Sequence, residues 1–205
     1  SHITNYQSSE DVVIYHPTNE FSRKAAAGGS GRHLRYGVRD DGLVYIDMNN
    51  FCVQGDAICG VDTLHIAGRH NLENASAAIS AARCIMPEVT NLQIQEGLGS
   101  FDGLPHRLKF VAEKQGVKFY DDSIATTPGS AIAALRSFDG GKVIILGGSD
   151  KGASYGEVVA VAKQERARVV AIGQTGQAIY DLCLQMGVTV VREEGLMEEV
   201  VDRAA

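Results

Sequence analysis

Apolar and polar positions follow one pattern early in the chain and another later. Residues 10–66 predict short strands. DVVIYH, LRYGV, LVYIDM, FCVQG and DTLHIA are apolar or alternating, rich in Val, Ile and Tyr, and broken by Gly, Asn and Asp. The glycine-rich AAAGGSGRH (25–33) lacks G-K-[ST] and follows no strong strand, so it reads as a mobile surface turn rather than a phosphate loop. At NLENASAAISAARCIM (71–86) the period lengthens. Leu72, Ala75, Ala78, Ile79 and Ala82 recur at helical spacing until Pro87 stops the run. TNLQIQEGLGSF predicts a second, shorter helix.

From Gly116 the pattern changes again. GVKFYDD, KVIILGG, ARVVAIG and VTVVRE read as strands, and PGSAIAALRSF, YGEVVAVAKQER, GQAIYDLCLQMG and GLMEEVVDRAA as the helices between and after them. Strict strand–helix alternation predicts a parallel sheet with right-handed crossovers, a doubly wound α/β domain. GLPHR (103–107), with Pro105 interrupting both patterns, marks the expected hinge.

Composition narrows the function classes. The 205 residues are 44% hydrophobic and 21% charged, which suits one large or two small globular domains. The net charge of −6 and the lack of a basic stripe argue against a nucleic-acid partner. No apolar run approaches the roughly 20 residues of a membrane helix, and no signal peptide opens the chain. Ser at position 1 points to a processed, tagged or cut start. Cys52, Cys59, Cys84 and Cys183 form no C-x-x-C pair and the histidines are scattered, so buried reduced thiols are expected rather than a metal or disulfide framework.

In open parallel sheets ligands bind beyond the carboxyl ends of the strands. Three polar clusters fall there. Asp121-Asp122-Ser123 precedes Thr126-Thr127-Pro128, a helix start with Pro at the first position and Thr127 as cap. Capping does not require Asp122, Ser123 or Thr126, which leaves a carboxylate for a ribose or cation and hydroxyls for an anion. GGSDKG (147–152) is not a P-loop, but its glycines admit close backbone approach. Lys151 is then either a point charge for carboxylate or phosphate, or a solvated turn lysine. GQTGQ (173–177) reads as a generic strand-to-helix turn. Elsewhere, Asn71 precedes a helix that it is expected to cap. Arg107 at the hinge either reaches a ligand or makes a surface ion pair.

In their order and spacing, G-x-H-N-x-x-N-x-x-A-A (68–78), G-L-P-H-R (103–107), D-D-S-x-A-T-x-P (121–128) and G-G-x-D-K (147–151) resemble the Mur ligases of bacterial peptidoglycan synthesis. The D-S-x-A-T form is similar to the D-glutamate-adding branch. The resemblance implies residues 1–104 as the end of a central ATP-binding domain and 105–205 as most of a Rossmann-like C-terminal domain. It implies a nucleotide site at Asn71, Arg107 and Asp122, and a D-glutamate site at Thr126, Lys151 and Ser123. It implies ATP and Mg2+, UDP-N-acetylmuramoyl-L-alanine as acceptor, an acyl-phosphate intermediate, a monomer and a cytoplasmic location.

The chain departs from the family pattern in lacking its P-loop, carboxylated lysine and acidic metal ligands, and in carrying Ile124 where the family usually has Lys. The family's last strand, with its Ser-rich D-glutamate contact, would lie beyond Ala205. The expected behaviour is therefore a piece of a ligase, inactive by itself. The alternatives are a non-catalytic ligand-binding module of the same fold, or an amide ligase like folylpolyglutamate synthase, whose D-G-A-H-N-P type motif the chain lacks.

Overall fold

The computed structural model describes residues 2, 4–39 and 43–204. The chain forms two compact units, Ser1–Asp102 and Gly103–Ala205.

The first unit begins with a β–α–β element. Strand β1 (Val12–Tyr15) lies parallel to β2 (Arg32–Arg35), with helix α1 (Glu20–Ala27) between them. The sequence reading put a mobile turn over residues 25–33 and no helix before it, which the structure corrects. Asn19 caps α1 by accepting the Ser22 N–H at 2.9 Å, and Lys24 pairs with Glu20 one turn earlier at 2.6 Å. Capping chemistry and alanines thus hold a helix too short to show periodicity. The chain turns at Gly28–Gly31 directly into β2.

Strands β3 (Tyr45–Asp47), β4 (Asn50–Val53) and β5 (Asp56–Gly60) form an antiparallel meander. Its two-residue turns, Met48-Asn49 (φ 44° and 65°) and Gln54-Gly55 (φ 52° and 95°), have the left-handed backbone that matches strand twist. The strand expected at 62–67 is absent. Val61–Thr63 is a 3-10 turn, and the third strand of the meander is DAICG just before it.

Helix α2 (Arg69–Ile85) buries Ala75, Ser76, Ile79 and Ser80, whereas Ala78 of the expected apolar stripe is exposed. The two serines are satisfied inside. Ser80 donates to the Ser76 carbonyl at 2.7 Å and accepts the Val44 N–H at 3.3 Å. Helix α3 (Asn91–Gly99) starts at a capping box of Thr90 and Gln93. Val44, Phe51, Ile58, Leu64, Ala75, Ile79 and Ile94 form this unit's core.

The second unit opens with a hairpin. Strand β6 (Lys109–Lys114) pairs antiparallel with β7 (Val117–Asp121) across Gln115-Gly116, at φ 53° and 81°. Sequence reading missed β6, because KFVAEK lacks clean alternation and its ladder is interrupted between Phe110 and Ala112. The parallel sheet has the order β10–β9–β8, from β8 (Val143–Gly147), β9 (Arg168–Ile172) and β10 (Val190–Arg192). β7 was expected in that sheet; its ladder is with β6 instead.

Helices α4 (Pro128–Leu135), α5 (Gly156–Gln164), α6 (Gly176–Met186) and α7 (Met197–Ala204) alternate with these strands. Leu135, Leu146, Val158, Val159, Ala162, Val169, Ile179 and Cys183 fill the core between helices and sheet. In β9, Val169, Val170 and Ala171 are buried, so both faces of that strand are covered, whereas in β8 only Leu146 is fully buried. Lys142, only 11% exposed, donates to the Leu135 carbonyl at 2.9 Å, the Phe138 carbonyl at 2.5 Å and Glu165 at 2.8 Å. It closes the end of α4 onto the start of β8.

Candidate functional site

The carboxyl end of β7 is a knot of side-chain hydrogen bonds. One Asp121 oxygen lies 2.7 Å from His106 Nδ1, and the other accepts the Ser123 N–H at 2.9 Å. Hydrogen bonds from the Ser123 backbone and hydroxyl, then from His106, hold the Asp121 carboxyl below the usual carboxylate range. Asp122 accepts the Leu108 N–H at 2.9 Å, its carbonyl accepts Ala125 N–H at 2.8 Å, and the His106 carbonyl accepts Ile124 N–H at 3.2 Å. The segment 106–108 is thereby stitched to the strand end with His106 and Leu108 at positive φ, 60° and 46°.

Each expected site residue has a definite place. Thr127 caps α4, accepting the Ser130 N–H at 3.3 Å, as expected. Thr126, one residue earlier, is exposed. Ser123 is exposed and gives its backbone N–H to Asp121 at 2.9 Å. Arg107 is exposed, and its guanidinium makes no hydrogen bond or ion pair among the described residues; the surface-pair alternative is not realised there. Ile124 is 53% exposed on the same loop.

Asn71 belongs to the first unit. It does not cap α2, as had been expected: Gly68 occupies that position at φ 102°, and Asn71 lies three residues on. Its Nδ2 donates back to the Ala67 carbonyl at 2.6 Å and its Oδ1 accepts from Asn74 at 3.3 Å.

The carboxyl end of β8 is built differently, from backbone. Gly147 and Gly148 have φ 138° and 135°, a region that side chains rarely adopt. A Cβ on Gly147 would sit 2.1 Å from the Ile172 carbonyl oxygen, so the neighbouring strand leaves room only for glycine. Asp150 accepts the Gly152 N–H at 2.8 Å and presents Lys151 at the exposed tip. Segment 173–177, read from sequence as a generic turn, is part of this rim. Thr175 N–H donates to the Gly148 carbonyl at 3.1 Å, and Asp150 N–H donates to Gln174 Oε1 at 3.2 Å.

Sequence reasoning also missed a cleft of about 350 Å³ beyond β9 and β10, lined by Ile172, Gly173, Glu193, Glu194, Gly195, Met197 and Val200. No expected site residue lines it. Its carboxylates are engaged, Glu193 with Arg203 at 3.1 Å and Glu194 with Arg192. Among the described residues, no group of three or more His, Cys, Asp or Glu converges to hold a metal ion. No helix among them is long and apolar enough to cross a membrane. Cys52, Cys59 and Cys183 are buried free thiols, and Cys84 is half-buried.

Residues 106–205 match the family model described as Mur ligase, glutamate ligase domain. Over 99% of its length the chain is 30% identical to a UDP-N-acetylmuramoylalanine–D-glutamate ligase of Lachnoclostridium phytofermentans, of which it covers 46%. A ligase of the same name from Caldanaerobacter subterraneus subsp. tengcongensis is 38% identical over 69% of the chain and 31% of its own length. The chain thus spans less than half of these curated relatives. Among solved structures, Mycobacterium tuberculosis folylpolyglutamate synthase complexed with ADP aligns at TM-score 0.65 and 15% identity, over 98% of this chain and 49% of that one. That likeness shows the fold.

Proposed function

Since this chain belongs to the Mur ligase family, with a glutamate ligase domain at residues 106–205, we propose that it is the later part of an ATP-dependent ligase that joins D-glutamate to UDP-N-acetylmuramoyl-L-alanine. The observation that carries the reading is the chemistry carried at two strand ends in the second unit. An acid- and hydroxyl-bearing loop follows β7, and a glycine-shaped loop presenting Lys151 follows β8. The relatives at 30% and 38% identity bear the D-glutamate ligase name, which favours that branch over the folylpolyglutamate one.

In this reading Arg107, with its exposed guanidinium, and Asp122 at the strand end hold the nucleotide base and ribose. ATP is a substrate that activates the acceptor carboxylate as an acyl phosphate. Thr126 and Lys151 hold the carboxylates of D-glutamate while its amine attacks the acyl carbon and inorganic phosphate departs. Ser123 supports this loop through Asp121. Positioning and charge neutralisation are what the chain's own residues supply. Mg2+ accompanies ATP in this reading, and no residue of this chain is assigned to hold it. The 205 residues contain no G-K-[ST] loop, and this chain alone is expected not to turn over ATP.

The test joins this sequence to its upstream coding region and assays amide formation with D-glutamate against L-glutamate and other amino acids. The expected result is ATP-dependent amide formation selective for D-glutamate. Selectivity for another amino acid would overturn the substrate. An upstream region without a G-K-[ST] loop, and with no ligation, would favour the non-catalytic module.

A further inference from the structure

We infer that Thr175 and Gln174, on the turn after β9, are positioning residues that set the Lys151 loop after β8, and through it the binding of the incoming amino acid. The inference rests on the amino-acid site proposed above for Lys151. Neither residue touches that substrate in this account; both act through the loop.

The Lys151 loop lacks rigidity of its own. Gly147, Gly148 and Gly152 all have positive φ, and glycine loses the most conformational freedom on ordering. Asp150 accepts the Gly152 N–H, which shapes the tip but does not tie it to the sheet. The ties come from the neighbouring strand's turn. Thr175 is 7% exposed and gives both of its donors to one acceptor, its N–H at 3.1 Å and its hydroxyl at 3.4 Å from the Gly148 carbonyl oxygen. The Tyr155 hydroxyl lies 3.5 Å from Thr175 Oγ1 and backs it from the start of α5. Gln174 accepts the Asp150 N–H at 3.2 Å, one residue from the lysine.

Backbone packing closes the same seam. A Cβ on Gly173 would lie 2.9 Å from Gly148 Cα, so the two turns are in direct contact. Because β8 and β9 are adjacent parallel strands, with Gly147 opposite Ile172, the clamp continues the ladder between them. A lysine held on a glycine loop is a useful carboxylate anchor only if that loop has one shape, since ordering the loop otherwise opposes binding. Thr175 and Gln174 supply that order in advance.

The test uses Thr175→Val, which keeps size and the backbone N–H but removes the hydroxyl, and Thr175→Ser, which restores it. Gln174→Ala is the second variant. Gln174 is exposed, so this change leaves the core intact. Amide hydrogen exchange is measured on this chain at residues 149–152 and across the rest of the second unit. Steady-state KM values for amino acid and ATP are measured in the ligase that carries the upstream region.

The expected result is exchange faster by about five- to ten-fold at 149–152 only, in Thr175→Val and Gln174→Ala. The KM for the amino acid should rise by a similar factor, with the KM for ATP and kcat unmoved, and Thr175→Ser should recover both. Unchanged loop exchange in both variants would overturn the clamp, as would acceleration spread evenly over the unit. Faster loop exchange with an unchanged amino-acid KM would overturn the positioning role if Lys151→Ala does raise that KM. If Lys151→Ala leaves it unchanged too, the clamp stands and the amino-acid site fails.

Discussion

The ends of β7 and β8 solve one problem by opposite means. After β7 the chain holds its shape with side chains: Asp121 on His106 and Ser123, Asp122 on the Leu108 N–H, Thr127 on the α4 N-terminus. After β8 the turn is shaped by backbone, with glycines at φ 138° and 135°, and is tied by Thr175 and Gln174 from the turn beyond the next strand. A side-chain knot is local, so its members announce themselves in one short stretch. A backbone loop carries little chemistry in its letters and takes its meaning from the neighbouring strand.

The contrast can be broken most forcefully at Gly147. Alanine there meets the Ile172 carbonyl at 2.1 Å in a strained backbone region, and should cost the second unit about 3 kcal/mol or more in denaturant unfolding. Gly148→Ala has the same kind of φ, with nothing within 4 Å of its Cβ. It should cost clearly less, about 1–2 kcal/mol. Equal costs would mean that φ alone, and not the neighbouring strand, shapes the loop.

Function should be more sensitive at the tip of the same loop. In the ligase with its upstream region, Lys151→Ala should raise the KM for D-glutamate by about 10- to 150-fold, the equivalent of a lost charge-assisted hydrogen bond, and leave the KM for ATP in place. Lys151→Arg should recover only part of this, because a planar fork is not a point charge. Kinetics matching the unsubstituted enzyme would make Lys151 a solvated surface residue.

On the β7 side the effects should be smaller and separable. Thr127→Ala removes the α4 cap and should cost about 1 kcal/mol of stability, read by thermal unfolding, with Thr127→Ser nearly neutral. Asp121→Asn tests the knot by pH. The folded-state value of Asp121 is held below its ordinary one, so its contribution is present above the unfolded carboxylate range and lost as pH falls through the folded value. The substitution should cost about 0.5 kcal/mol at pH 7, a small effect because the pair is partly exposed. That difference should fade below about pH 4. A cost that persists at low pH would assign the knot to packing instead of charge.

The residues themselves determined the alternating strand–helix pattern of 143–204, the helices at 69–85 and 91–99, and the Thr127–Pro128 helix start, because periodicity and capping are properties of neighbours along the chain. They also made the β7-end cluster visible, since Asp121, Asp122, Ser123 and Thr126 lie within six positions. Only the tertiary structure decided which strands pair. It put β7 with β6 in a hairpin, made 20–27 a helix between two parallel strands, and began α2 after Gly68 so that Asn71 binds back to Ala67. It alone joined segment 173–175 to the Lys151 loop and opened the cleft beyond β9 and β10. Such contacts cross between strands, and nothing in the local order of residues specifies a hydrogen bond made 27 positions away, as from Thr175 to Gly148.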